Sequence, residues 1–482
     1  MRKRLLTVIM ILSLCITGIC IPMPGTGVSA AVKGNNYVPI FSEWATEDLM
    51  TGDRYDIYPL SWYEDTLTGP VTKEQMEVLA DGLTEKIGKA KGVRTATGSA
   101  IEVKDGMTVQ EVLNAFYTVI SEQVYDKDID LNDTFGVESF MKEKGIFTGK
   151  NGERGITEKC STEQACVFAV RLVTYVYDQL DAASKGFLWE VKKGDNTAYL
   201  LGSIHAADYD IYPFSEKMMD AFRNSDALVV EVDLNDEEGM AEFTSLLVYS
   251  DGTTLKDHVS EECYNRTIKT AASYGLSEPV VASLKAWYLS NFFTVMATAS
   301  GDSSEALTAV SLGIDNSFMT DAVISGKPVL EIEGYEKQGK MFDGFSEELQ
   351  EYLLTGSMDE LDKSLEGAAV TENTSDNLIE RWLKAWHDGN IEAFESAYSA
   401  EDEVLGDTFS SSTDGKIQDL MYEYYTALLT DRDKGMAEYI DGLLNQKGKN
   451  TYFVVVGSLH YLSDYSVLDI LKEKGYDIVQ IK

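Results

Sequence analysis

Basic residues are scarce in this chain: 41 lysines and arginines stand against 80 aspartates and glutamates, a formal charge of −39. So acidic a surface repels anionic membranes and the nucleic-acid backbone, which argues against a nucleic-acid partner, and it attracts divalent cations weakly. Cysteine is scarcer still. Of five, Cys15 and Cys20 lie in the first thirty residues, leaving Cys160, Cys166 and Cys263, a poor disulfide framework. Cys160 and Cys166 are close enough in sequence to pair, or they stand as two buried thiols. There is no Cys-x-x-Cys, which argues against a thiolate zinc site. Gly-x-Ser-x-Gly, His-Glu-x-x-His, phosphate-loop and dinucleotide glycine patterns are also absent. Beyond residue 30 no apolar run is long enough to span a bilayer.

The one long apolar run is at the start. Arg2-Lys3-Arg4 forms a basic region, Leu5–Ile21 is apolar, and Val28-Ser29-Ala30 is a small-residue cleavage site, so residues 1–30 read as an export signal. Its removal takes three cations and no acid, moving the charge from −39 to −42. The expected location is secreted or cell-wall associated, with no transmembrane span after cleavage.

Residues 31–186 read as a small, mainly helical accessory domain. Two units look alike. In each, a helix leads to a glycine-bearing loop and then to a cap that opens a second helix, the Thr-x-Glu run Thr72-Lys73-Glu74 in the first and the Ser-Thr-Glu run Ser161-Thr162-Glu163 in the second. Gly145, Gly149 and Gly152 belong to the second loop, and Gly92–Lys104 reads as a polar linker.

From Phe187 the texture changes. Phe187–Lys192, Thr197–His205, Ala227–Asp233, Lys327–Glu333, Thr451–His460 and Tyr476–Ile481 read as strands. Pro213–Arg223, the helix from Gly313 to Gly326, Leu378–Glu395, Lys416–Leu444 and Ser466–Lys474 read as helices. The predicted fold class is α/β: a mixed or parallel sheet with paired βαβ units and large helical insertions, filling 187–482. The apolar helix 282–299 is expected to be buried or to line a groove.

Two of the four histidines share one context. Gly202-Ser203-Ile204-His205 and Gly457-Ser458-Leu459-His460 each close an apolar strand. In open α/β sheets ligands bind beyond the carboxyl ends of strands, where both rings fall. Glu231 interrupts an apolar strand, where burial costs several kcal/mol unless a cation or donor meets it. Glu333 ends another, and Glu336 follows one helical turn later. Two imidazoles with one or two carboxylates suit Zn²⁺, Mn²⁺ or Co²⁺. Ser203 and Ser458 share a strand face with the histidines and can donate to substrate, and Arg432 can hold a substrate carboxylate or a buried glutamate. His258 reads as a helix-start surface residue, and His387 as a ring at a helix C-terminus.

The N-terminal units resemble S-layer homology modules, which hold exported proteins to wall polymers of Gram-positive bacteria; Lys73 or Thr162 stands near that family's arginine. The resemblance implies a cell-wall polysaccharide partner, beside the simpler reading of an accessory domain. Residues 187–482 resemble the TraB/GumN family, which includes the pheromone-shutdown proteins and the Tiki proteases. The match runs through Leu188-Trp189-Glu190-Val191, Tyr199–His205, Asp226–Asp233, Gly313-Ile314-Asp315, Ile332-Glu333 with Glu336 and Gln338, Arg432 with Met436, and Phe453–His460. It implies a metal-dependent peptidase fold related to the erythromycin-esterase and ChaN-like group, with His205, His460, Glu231 and Glu333 as metal or catalytic positions. Three readings follow: a metallopeptidase acting on peptides or protein N-termini, a protein that sequesters a peptide signal without cutting it, and a metal-independent esterase-type hydrolase.

Overall fold

The structure, a computed structural model, describes residues 40–90, 94–95, 101–125, 129, 131, 136–149, 153–298, 303–365, 375–397 and 415–482. Residues 1–30, predicted to be an export signal, residues 31–39 and Gly152 lie outside the described residues. The chain divides into two compact units, one of residues 30–184 with 209–216 and the other of 185–208 with 217–482.

In the first unit three helices share one device. α1 (Lys73–Lys89), α2 (Val109–Thr118) and α3 (Thr162–Gln179) each open on a capping box, from Thr72 with Gln75, Thr108 with Glu111, and Ser161 with Gln164. Each box satisfies two amides that a helix start would otherwise leave open. The residues just before the caps close a ring of backbone hydrogen bonds. Val71 N donates to Cys160 O at 3.0 Å, Cys160 N to Met107 O at 2.9 Å, and Gly106 N to Val71 O at 2.8 Å. The sequence pattern predicts two such units; the structure contains a third, built on Thr108. Met76, Leu79, Leu83, Val112, Phe116, Cys166, Val170 and Val173 are buried in this unit. Arg171 ties its periphery, donating to Asp48 at 2.8 Å and to Glu153 at 2.8 Å. Within the predicted linker, Arg94–Thr95 pairs with Val124–Tyr125. Cys160, Cys166 and Cys263 are all free and buried.

The second unit is organised by a six-stranded mixed sheet. Its strands are β1 (Phe187–Lys193), β2 (Asn196–Ser203), β3 (Ala227–Val230), β4 (Val329–Glu331), β5 (Thr451–Gly457) and β6 (Ile478–Ile481). The order is β4-β3-β5-β2-β1-β6. β2, β3, β4 and β5 run parallel, and β1 is antiparallel to β2 and β6. β1 and β2 form a hairpin over Gly194 and Asp195, with Gly194 at φ 60°, the conformation a two-residue loop needs. β5 lies at the centre, and its apolar run Tyr452–Val456 is buried on both faces, as parallel strands require. Phe453 packs against Phe222 of α4 (Glu216–Arg223) and Phe318 of α5 (Ile314–Ser325), with ring centroids 5.6 and 4.8 Å away. Gly326, at φ 65°, closes α5 as a left-handed cap.

The helical insertion packs Ala286–Thr298 against Glu347–Leu365. Leu289, Phe293 and Met296 meet Leu354, Met358 and Leu361 in one buried cluster, so the apolar helix is core. Two predicted helices are interrupted. Lys416–Leu444 divides into Gly415–Tyr425, a π turn Thr426–Thr430, and α7 (Asp431–Leu444). Leu378–Glu395 breaks after His387, at Gly389, whose φ of 64° no helix interior accepts. Among the described residues no helix is long and apolar enough to cross a membrane.

Candidate functional site

β2 and β5 are parallel neighbours in a register that pairs Gly202 with Val456 and Ser203 with Gly457. The two Gly-Ser-x-His segments therefore leave the sheet side by side at its carboxyl edge, offset by one residue. His205 lies just past the end of β2. His460 lies in α8 (Leu459–Leu462), a single helical turn rather than the end of the predicted strand. The motif glycines do different work. A Cβ on Gly202 would meet Ser458 Cα at 3.1 Å, so this glycine lets the strand ends approach. A Cβ on Gly457 would lie 3.4 Å from His205 Nε2, 3.4 Å from Glu231 Oε1 and 3.6 Å from His460 Cδ2. The two rings and Glu231 thus converge over Gly457.

Each ring is anchored by an aspartate from a different helix. His205 Nδ1 meets Asp315 Oδ1 of α5 at 2.7 Å, and His460 Nδ1 meets Asp433 Oδ1 of α7 at 2.6 Å. Both rings are 4% exposed. An aspartate on Nδ1 sets the proton there and turns Nε2 into the acceptor, the arrangement behind most histidine metal ligands. The approach of α5 depends on Gly313, where a Cβ would collide with the His205 carbonyl, and Ile314 N donates to Ile204 O at 3.1 Å.

Glu231, just past β3, is buried and fully engaged. Oε1 accepts from Gly457 N at 2.6 Å and stands 4.0 Å from His460 Nε2. Oε2 accepts from Arg432 and from Gln338 Nε2, the latter at 3.2 Å. Glu333 caps α6 (Gly334–Asp343), and its backbone N donates to Glu231 O at 3.0 Å. Its carboxylate, 1% exposed, accepts from Arg432 Nε at 3.0 Å, Arg432 Nη2 at 2.8 Å and Gln338 Nε2 at 2.9 Å, with Lys337 Nζ at 3.5 Å. Arg432 also donates to Leu428 O in the π turn at 3.4 Å. One guanidinium thus joins two buried carboxylates, holding Glu333 through Nε and Nη2 and Glu231 through Nη2.

The electrostatics follow from burial against pairing. Burial pushes the Glu231 carboxyl up, but Arg432, both imidazoles and the Gly457 amide outweigh it and hold the pKa well below the carboxylate range. Glu333 is lowered as well, Arg432 overcoming burial. Arg432 is raised, since its two carboxylates outweigh its burial. His205 is raised: burial opposes the charged ring, and Asp315 and Glu231 prevail. Asp433 is raised by burial, against its bond to His460. Among the described residues, the buried carboxylates of Glu231, Glu333, Asp315 and Asp433 gather around the Arg432 guanidinium and two imidazoles, with the half-exposed Lys337 ammonium at the edge, so acids outnumber fixed cations.

The other predicted residues fall as follows. Ser203 is buried on the face that Gly457 occupies. Ser458 Oγ donates to Ser203 O at 2.9 Å and ties the strand ends together. Glu336 lies on the surface, 61% exposed and paired with Lys340. His258 closes a short helix, stacks on Tyr249 at 4.3 Å and bonds Glu347 at 2.8 Å. His387 ends its helix. Asp315, Asp433 and Gln338 were not singled out as site residues from the sequence, although Asp315 follows Gly313 by two and Asp433 adjoins Arg432.

Among the described residues no group of three or more His, Cys, Asp or Glu side chains is gathered to hold a metal ion as it stands. Glu333 in particular is committed to Arg432. In kind the remaining donors fit a divalent cation: two imidazoles fixed through Nδ1, one ionised carboxylate oxygen, and surplus negative charge.

The model of the TraB/PrgY/gumN family matches residues 187–480. The chain is 23% identical over 323 residues to the metalloprotease TIKI homolog of Nematostella vectensis, covering 61% of this chain and 67% of that one. It is 22% identical over 317 residues to metalloprotease TIKI1 of Xenopus tropicalis, covering 61% of each. It is 23% identical over 279 residues to the uncharacterized protein YbaP of Escherichia coli (strain K12), covering 58% of this chain and 89% of that one. The chain thus spans roughly two thirds or less of the TIKI proteins it matches. No solved structure matches it.

Proposed function

Because the chain belongs to the TraB/PrgY/gumN family, we propose that its second unit is a metal-dependent hydrolase of peptides, a metallopeptidase working at the carboxyl edge of the sheet. The observation that supports this best is the convergence of His205 Nε2, His460 and Glu231 Oε1 over Gly457, each ring backed by its own aspartate. His205 and His460 would hold a divalent cation, Mn²⁺, Co²⁺ or Zn²⁺, with Glu231 Oε1 as the oxygen donor beside them. Bound there, the cation would supply Lewis-acid polarisation of a peptide carbonyl and would acidify water.

The chain's own residues do the rest. Asp315 and Asp433 fix the ring orientations and keep both Nε2 atoms basic. Glu231 stays ionised across neutral pH, so it acts by charge and by accepting a hydrogen bond rather than by delivering a proton. Arg432 and Glu333 hold Glu231 in place. The substrate is a peptide or the N-terminus of a protein, as in the leading reading of the sequence.

Export through residues 1–30, and attachment of the N-terminal unit to wall polysaccharide, are part of the same proposal. The three capped helices and their ring of loops are the feature that favours a repeated polymer-facing module. Sedimentation with purified wall polysaccharide tests it.

The function itself is tested by stripping the purified chain with chelator and adding back Mn²⁺, Co²⁺ or Zn²⁺ over a peptide library. Cleavage that follows the metal supports the proposal. Peptide binding that persists without metal and without cleavage would favour the sequestering protein instead, and cleavage insensitive to chelator would favour the esterase-type hydrolase.

A further inference from the structure

Gly457 is a glycine for which backbone conformation gives no reason. It ends a regular strand and has no left-handed φ, so any residue could adopt its backbone. Glycine weakens a strand relative to alanine, through lost chain entropy and a missing side chain, so its use here needs another cause. Close packing is not that cause. At Gly202 a Cβ would press on a backbone atom, whereas at Gly457 a Cβ would reach only ordinary contact distance, 3.4–3.6 Å, from His205 Nε2, Glu231 Oε1 and His460 Cδ2. What the missing Cβ leaves is a notch walled by functional atoms.

A second, independent observation lies beside it. Ser203 is paired with Gly457 across β2 and β5, so its side chain rises from the same sheet face one strand spacing away, about 4.8 Å. It is 0% exposed. Its Oγ has no hydrogen-bond partner among the described residues. A buried hydroxyl left unsatisfied keeps its full desolvation cost, and native cores carry few of them. The neighbouring polar groups of the site are engaged: Glu231 by three donors, Glu333 by Arg432 and Gln338, each ring by its aspartate. Two buried hydroxyls by the site, of Ser203 and Tyr461, lack a partner among the described residues, and of the two it is Ser203 that the strand register sets beside Gly457.

We propose that the notch over Gly457 is a binding position for one ligand oxygen, a water or a substrate carbonyl, to which Ser203 Oγ donates a hydrogen bond. The proposal rests on the peptidase reading only for what that oxygen belongs to. The glycine makes the room and the serine supplies the donor, so the two residues form one device built by the strand register. Ser458, the matching serine of the second motif, has no such part, because its hydroxyl is spent on the Ser203 carbonyl.

The test uses the full chain in three forms: wild type, Ser203→Ala and Gly457→Ala. A high-resolution crystal structure of the wild type, alone and with a bound synthetic peptide, locates any oxygen within about 3.2 Å of Ser203 Oγ. A water there in the peptide-free crystal, or a carbonyl oxygen there only with peptide, supports the proposal and tells the two sources apart. Both variants are expected to fold, with melting temperatures within about 2–4 °C of wild type. Turnover of a library peptide is expected to fall roughly 10- to 100-fold in Ser203→Ala with KM nearly unchanged, and as far in Gly457→Ala. Ser203 Oγ bonded to a protein group in both crystals, with both variants turning over as wild type, would overturn it. If the wild type cleaves nothing, the peptidase reading fails by itself, and the density beside Ser203 still decides this one.

Discussion

The Gly457 amide donates to Glu231 Oε1 at 2.6 Å across 226 residues of sequence. This bond joins the carboxyl ends of β3 and β5, and it sets the carboxylate oxygen facing the space between the two imidazoles. A buried carboxylate is costly, and its position is meaningful only because the donors around it are fixed. The site is therefore a hydrogen-bonded frame first, and a set of ligands second.

Arg432 is the cation on which that frame depends. Arg432→Met removes the clamp from Glu231 and Glu333 and leaves two buried carboxylates without their counter-ion. The expected cost is about 3–5 kcal/mol, read as a lower urea midpoint of the second unit. Adding Glu333→Gln to Arg432→Met is expected to recover at least ~1 kcal/mol, because the two groups are coupled. Additive losses would show that the clamp is not the source of the stability.

Asp315 and Asp433 act through the rings they hold. Asp315→Asn and Asp433→Asn keep the shape but weaken the hydrogen bond that fixes each Nδ1. Each is expected to weaken Mn²⁺ or Zn²⁺ binding by about 10- to 100-fold, measured by calorimetry, with little change in melting temperature. Unchanged affinity in both would remove the rings from the metal-binding account.

In the N-terminal unit, burial pushes Asp53 up to about 6, against hydrogen bonds from Tyr63 and Tyr58 and the charge of Arg54. A folded pKa above the unfolded one means that the folded chain holds the extra proton. The contribution is full below about 3.9, the unfolded value, and is lost as pH rises through about 6. Between pH 5 and pH 8 the wild type is expected to lose roughly 1 kcal/mol that Asp53→Asn keeps. Urea unfolding at the two pH values measures it, and parallel losses in both proteins would refute the assignment.

Much of the sheet was legible because its strands are short apolar or alternating runs. Phe187–Lys192, Ala227–Val230 and Phe453–Gly457 all form strands, with β2 and β5 ending at the two Gly-Ser-x-His segments. Those segments have two histidines in matched context, and the structure brings them together. The aspartates behind the rings were not legible, because nothing local distinguishes Asp433 from its many acidic neighbours; its role exists only where α7 passes His460. Glu336 was read by spacing alone, and α6 turns it to solvent while Gln338 faces the carboxylates. The π turn at Thr426–Thr430 escaped notice because a π insertion keeps helical composition while shifting the face that follows. The third capped helix carries its box as Thr108-x-x-Glu111, without the Thr-x-Glu or Ser-Thr-Glu run that marks the other two.

The most direct measurement is a Co²⁺ titration of the chelator-stripped chain, followed by its visible spectrum, in wild type, His205→Ala and His460→Ala. The account predicts one equivalent bound by wild type, with the spectral band lost in both variants. A wild type that binds no cobalt, or variants that bind it as well as wild type does, would contradict it.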